Sequence, residues 1–299
     1  MFAIRRILCP IDFSDASQHA LDHAVVIAGW YRARLTALHV ATPVFLLQPP
    51  LLFAELPTAA PTEADREHLE GRLRRWVEPA AALGLTTEVL FDERHNPATS
   101  ILTWATSLPA DLIVMGTHGR GGFERLMLGS ITEKVLRKAT CPVLTVPPPA
   151  VRATTLPFKR LLCPVDFSKP SMAALRFAVS LAEESDARVT VMHVLPEPAD
   201  DERLIDSLDT PEFRLRCEDH ARTRLEALIP DEARTYCEPV TQVRWGKPYR
   251  RILDLAENEA TDLIVMGVHG RNAIDVMLFG STTNQIVRHA SCPVLTLRG

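Results

Sequence analysis

Glycine is concentrated in two places in this chain. Gly116-Thr117-His118-Gly119 is followed after nine residues by Gly129-Ser130, and Gly267-Val268-His269-Gly270 after nine by Gly280-Ser281. Six of the 13 glycines fall in this repeated G-x2-G-x9-G-S spacing, which suits the holding of an anion. Gly116 and Gly119 let a chain leave a strand in a tight turn, with no β-carbon to keep a phosphate away. Gly129-Ser130 stands before a helix whose apolar positions include Val135, Leu136 and Ala139. A helix amino end offers unpaired N–H groups and the positive end of a dipole, and Ser130 or Ser281 adds a hydroxyl donor. The plainer alternative, that these glycines only shape a turn and cap a helix, stands beside this one.

Asp12 and Asp166 form the second candidate pair. Each ends a strand-like run just before a helical stretch, Leu8 to Phe13 and Leu162 to Phe167. In a doubly wound sheet, ligands sit beyond the carboxyl ends of the strands, where strand order reverses. With the order 3-2-1-4-5, Asp12 faces the Gly116 loop and Asp166 the Gly267 loop. A carboxylate there accepts a hydrogen bond from an adenine or ribose donor; alternatively it caps the first helix.

These residues need a scaffold, and the chain writes it twice. LCPIDFS at Leu8–Ser14 returns as LCPVDFS at Leu162–Ser168, DLIVMG at Asp111 returns at Asp262, and CPVLT at Cys141 returns at Cys292. A period near 150 residues is that of a whole domain. Short apolar runs alternate with amphipathic stretches in each half, the pattern of a parallel sheet with crossover helices. Strands are predicted near 5–11, 35–40, 86–91, 111–115 and 142–146, with Ser14 capping the first helix. That helix buries Leu21, Ala24, Val25 and Ala28, matched by Leu175, Ala178, Val179 and Ala182. Domains are set at 1–147 and 158–299, with a proline-rich linker over 148–157. The apolar, proline-rich segment 41–62 reads either as a variable surface excursion or as a docking surface.

Composition narrows the classes of function. The chain has 299 residues, 46% of them hydrophobic and 23% charged, the mix of a globular protein. A net charge of -4 gives no electrostatic case for nucleic-acid binding. Arg72, Arg74 and Arg75 stand among Glu67, Glu70 and Glu78, which reads as a solvated helix face. No apolar run reaches the roughly 18 residues of a membrane span, and Met1 to Pro10 lacks a signal peptide's apolar core, so a cytoplasmic location is expected. Cys9, Cys141, Cys163, Cys217, Cys237 and Cys292 make no C-x-x-C pair and read as reduced thiols, mostly buried.

On the P-x-D-F-S segment, the DLIVMG strand, the G-x2-G-x9-G-[ST] loop and the closing CPVL strand, the chain resembles the universal stress protein family over nearly its whole length. The resemblance implies an adenine-nucleotide-binding α/β fold, akin to that of the adenine nucleotide alpha hydrolases, as two five-stranded doubly wound parallel sheets. It implies ATP as ligand, or ADP or AMP, with or without Mg. Carried over by position, Asp12 and Val40 contact adenine in the first half, with Met115, Gly116, Gly119, Gly129, Ser130 and Ile131 lining ribose and phosphates. The second half supplies Asp166, Val194, Met266, Gly267, Gly270, Gly280, Ser281 and Thr282. The resemblance also implies self-association through the last strands, Pro142–Val146 and Pro293–Leu297, giving an internal pseudo-dimer that can pair again as a homodimer. Two departures stand out. His95 occupies the place that Gly246 holds before Pro248, and Gly270-Arg271-Asn272-Ala273 replaces the first half's Gly119-Arg120-Gly121-Gly122.

Enzyme signatures are sparse. There is no G-x4-G-K-[ST] P-loop, no HIGH-type tetrapeptide and no SGG-x-DS loop, so no catalytic residue is assigned and at most weak ATP hydrolysis is expected. His118 and His269 read as turn-bonded or solvent-facing rather than as general acids. His39 and His193 read as satisfied core histidines rather than zinc ligands. The expectation is a stress-response regulator that binds ATP and a protein partner not identified by sequence. The alternative is an interaction or small-molecule carrier module with one or both nucleotide sites degenerate.

Overall fold

The computed structural model describes residues 3–41, 62–94, 96–119, 128–148, 150, 158–197, 210–268 and 280–298. The first half runs β1 (Arg6–Pro10), α1 (Asp15–Tyr31), β2 (Arg34–Val40), α2 (Glu63–Ala82), β3 (Thr87–Asp92), α3 (Pro97–Ser107), β4 (Leu112–Gly116), α4 (Ser130–Lys138) and β5 (Val143–Val146). The second runs β6 (Arg160–Pro164), α5 (Lys169–Ser185), β7 (Arg188–Leu195), α6 (Pro211–Glu226), a short α7 (Ala233–Tyr236), β8 (Glu238–Trp245), α8 (Pro248–Asn258), β9 (Leu263–Gly267), α9 (Ser281–His289) and β10 (Val294–Leu297).

Apolar side chains on both faces force a parallel sheet to be covered twice. All five residues of β4 are buried. Ile7, Cys9, Leu35 and Val114 pack toward α1 and α2. Leu8, Leu38, Ile113 and Met115 pack toward α3 and α4. The first-helix stripe lies as predicted: Leu21, Ala24 and Ala28 are buried and Val25 is half-buried. The aspartate that opens each DLIVMG run closes the opposite end of the sheet. Asp111 accepts the Arg5 and Arg6 amides at 2.8 and 2.9 Å, and Asp262 does the same for Lys159 and Arg160.

Each half has the 3-2-1-4-5 order. The two five-stranded sheets are not separate, however: they merge into one ten-stranded sheet, β3-β2-β1-β4-β5-β10-β9-β6-β7-β8. Every pairing is parallel except β5 with β10, where Leu144 faces Leu295 in antiparallel register. At this seam Thr145 Oγ1 donates to the Val294 carbonyl at 3.1 Å, and Thr296 Oγ1 to the Val143 carbonyl at 3.2 Å. The apolar core continues across the seam through Leu144 and Leu295. The Tyr31 hydroxyl, at the end of α1, donates to Glu184 Oε2 on α5 at 2.8 Å. The internal pseudo-dimer is therefore formed by the closing strands. Both strands are spent inside the sheet, so pairing with a second chain would use another surface.

All six cysteines are free thiols. Cys9 and Cys163 lie wholly buried, and burial pushes both far above the usual thiol range. Among the described residues no helix is long and apolar enough to cross a membrane. Segment 42–61, residues 198–209, His95 and linker residues 149 and 151–157 lie outside the described residues.

Candidate functional site

The site at the end of β1 is built by a turn inside the D-F-S triplet. The Asp12 carboxylate accepts from the backbone N–H of Ser14 at 3.0 Å and from its hydroxyl at 2.5 Å. Ser14 itself caps α1, accepting the Ser17 amide at 3.2 Å. Capping thus falls to Ser14, and the alternative role for Asp12 as the helix cap gives way. Asp166 and Ser168 repeat the arrangement at 3.0 and 2.6 Å.

Between aspartate and serine the chain reverses through a left-handed residue. Phe13 has φ 62 and Phe167 φ 63, a conformation that bulky side chains rarely adopt and that costs about 1–3 kcal/mol. The reversal sends the phenyl ring to the α1–α2 side of the sheet. There Phe13 meets the His39 ring at 4.6 Å and stands nearly perpendicular to the Trp76 ring at 5.2 Å. The Arg72 guanidinium lies 4.2 Å above it, and Arg224 lies 3.9 Å above Phe167. Such cation–π contacts contribute about 0.5–2 kcal/mol, which offsets part of the strain. Arg72 therefore departs from the solvated face expected of it, whereas Arg74 pairs on the surface with Glu70. His39 and His193 are buried, each with Nδ1 2.6 Å from the carbonyl before its aspartate, Ile11 and Val165. They are core histidines that hold the turn, and among the described residues no cluster of metal-ligating side chains occurs.

The glycines divide by what occupies their missing β-carbon. A methyl at Gly116 would come within 2.9 Å of the Ala16 carbonyl oxygen, and one at Gly267 within 2.8 Å of the Pro170 backbone. These two glycines admit the first turn of α1 and of α5 to the strand end. At Gly119 the same methyl would stand 2.5 Å from Asp12 Oδ2, so the loop backbone lies directly against the carboxylate. Asp12 faces the glycine loop.

On its other side the loop is fastened to α4. Gly129 N–H donates to the Thr117 carbonyl at 2.9 Å, and Thr132 Oγ1 to the Gly116 carbonyl at 3.0 Å. Gly280 and Thr283 do the same in the second half, at 3.2 and 3.1 Å. Neither Gly129 nor Gly280 gives its helix a side-chain cap, which leaves first-turn amides to meet an anion. Ser130 and Ser281 are exposed at those ends, and Ile131 is 38% exposed beside them. Thr132 and Thr283 escaped the sequence reading, although each stands two residues beyond the serine of the motif.

Val40 and Met115 are buried at the ends of β2 and β4. In the second half Met266 is buried, while Val194 and Thr282 are half-buried. His118 is half-buried, its Nδ1 2.8 Å from Thr117 Oγ1, so it is bonded within the turn as expected. Gly270, His269 and the Arg271-Asn272-Ala273 departure lie outside the described residues, as do Arg120, Gly121 and Gly122. Gly246 takes φ 129 before α8, a region that favours glycine.

Known proteins share this fold. A family model described as the universal stress protein family matches the chain twice, over residues 3–147 and 157–298. A universal stress protein of Methanocaldococcus jannaschii is 38% identical over 151 residues, covering 48% of this chain and 83% of that protein. One from Mycobacterium tuberculosis is 24% identical over 299 residues, covering 96% of this chain and 95% of the other. The crystal structure of a universal stress protein from Archaeoglobus fulgidus matches the fold with a TM-score of 0.68 at 22% identity, covering 98% of each chain. With both halves matched and the doubled fold in hand, the chain belongs to the universal stress protein family as a tandem of two of its domains.

Proposed function

We propose that this protein binds an adenine nucleotide, ATP or its ADP and AMP relatives, at the glycine mouth of each half. In this reading it acts as a nucleotide-dependent regulatory module of the cytoplasm rather than as an enzyme. The observation that carries the reading is the loop Gly116–Gly119, which abuts the Asp12 carboxylate on one side and is bonded to the uncapped amino end of α4 on the other. The two sides suit the two ends of one molecule. A carboxylate accepts from the adenine amine or a ribose hydroxyl, and helix-end amides with the Ser130 hydroxyl donate to phosphate oxygens. Val40 and Met115 offer apolar surface to a base, and the second half repeats the set with Asp166, Val194, Met266, Gly267, Gly270, Gly280, Ser281 and Thr282.

The first mouth is proposed as the tighter one, because two glycines follow Gly119-Arg120 whereas Asn272 and Ala273 follow Gly270-Arg271. Turnover is not part of the proposal: the chain has no P-loop lysine, and binding energy spent on nucleotide alone shifts a conformational equilibrium only by its differential affinity. Native mass spectrometry of the untreated protein tests the reading, since it reports ligand mass, Mg content, stoichiometry and assembly together. Retention of one or two adenine nucleotides per chain is expected. Failure to retain any, or to bind added ATP in a calorimetric titration, would sink the reading.

A further inference from the structure

Away from the glycine mouths, the second half has a cavity of about 480 Å³ on the α6 side of the Asp166 turn. Phe167, Leu195 and Phe213 line it with apolar surface. Arg216, His220 and Arg224 also line it, spaced four residues apart along α6 and so stacked on one helix face. Among the described residues no acidic side chain lines the cavity. Among the described residues neither Arg216 nor Arg224 forms an ion pair; the neighbouring carboxylate of Glu218 instead accepts from the Trp245 indole at 2.7 Å. Arg224 is stacked at 3.9 Å on Phe167, which holds its guanidinium at the wall. The volume lies within the roughly 300–1,000 Å³ of small-molecule sites.

The first half is built differently at this place. Trp76, four residues after Arg72, packs its ring nearly perpendicular to Phe13, while four residues after Arg224 stands the smaller Leu228. From this geometry we infer a binding site peculiar to the second half, for a small aromatic anion such as a ring bearing a carboxylate or sulfonate. The ring packs between Phe167 and Phe213, and the acid group pairs with Arg216 and Arg224, whose planar forks suit two oxygens at once. This site lies across the Asp166 turn from the glycine mouth and does not rest on the nucleotide reading.

The probe is 8-anilinonaphthalene-1-sulfonate, titrated by fluorescence into the full chain with excess ATP present, so that a nucleotide mouth does not compete. Saturable binding of one dye per chain is expected. The Arg216→Ala, Arg224→Ala double variant should bind about tenfold more weakly or worse, the loss of charge-assisted hydrogen bonds. Cys217→Trp, which places a ring in the cavity, should abolish binding, while Arg72→Ala in the first half leaves it unchanged. Unsaturable binding, or equal affinity in the double variant, overturns the inference. Should Cys217→Trp fail to fold, a Cys141→Ser protein supplies the second measurement: alkylation of the half-buried Cys217 must slow when the dye is bound, and an unchanged rate counts against the site.

Discussion

Asp12 Oδ2 lies where a side chain on residue 119 would begin, with a β-carbon at Gly119 falling 2.5 Å from it. A carboxylate at the end of the first strand and a backbone more than a hundred residues later thus share one contact, and the proposed nucleotide mouth is organised around it. Gly119→Ala must displace the carboxylate or the loop. Under the proposed function it lowers the affinity of the first mouth for ATP by about tenfold or more, while the melting temperature moves little because Gly119 is exposed. Isothermal titration beside a thermal melt checks the split.

Gly116 and Gly267 predict the opposite split. Their missing β-carbons make room for main chain, the Ala16 carbonyl and the Pro170–Ser171 segment, and main chain yields poorly. Gly116→Ala or Gly267→Ala should each cost about 1–3 kcal/mol of stability with or without ligand, the range for overpacking a tight contact. Gly129 lies between the two cases. Its φ of -60 and ψ of 135 are open to any residue, and a β-carbon there would sit 3.2 Å from the Thr117 carbonyl. Gly129→Val is expected to keep the fold and lose the first nucleotide, read by denaturation and native mass spectrometry side by side.

The two halves are joined by more than the β5–β10 seam. Tyr31→Phe removes the 2.8 Å bond to Glu184 and leaves that half-buried carboxylate short of a donor. A loss of about 1–3 kcal/mol is expected in urea unfolding. Burial and the Glu184 hydrogen bond push the Tyr31 hydroxyl above its ordinary range, so the link should persist well into alkaline solution.

Asp92, at the end of β3, carries a pH dependence. Burial pushes its carboxyl up, but the Arg94 amide, the Trp104 indole at 2.8 Å, Ser100 and the Arg94 charge together hold it below the ordinary value. A carboxyl depressed on folding contributes stability that is present above the unfolded value and lost as pH falls through the folded one. Trp104→Phe should therefore cost about 1–2 kcal/mol near neutral pH, and the difference from the parent should shrink in acid. Urea midpoints at both extremes measure it; a difference that stays constant in acid would refute the assignment.

Much of this arrangement was legible in the chain. Apolar runs of strand length, the doubled LCP, DLIVMG and CPVL segments, and Ser14 as a helix start are local signals, and each of the five strands predicted for the first half lies within a residue or two of its place. The spacing of glycine to Ser130 and Ser281 marked the two mouths for the same reason: a turn and a helix start are written in adjacent residues.

What the sequence determined by itself is therefore the repeated α/β fold, the strand order within each half and the neighbourhood of the candidate mouths. Only the tertiary structure decided that Gly116 serves packing while Gly119 lies against Asp12, and that Arg72 leaves the solvated face to cover Phe13. It also decided the antiparallel register in which the two sheets merge into one, and that among the described residues the second half opens a basic aromatic cavity. The physical reason is common to all four. Periodicity and propensity act over a few residues, whereas the free energy of a missing β-carbon, a stacked guanidinium or a strand edge depends on what packs against it from elsewhere in the chain.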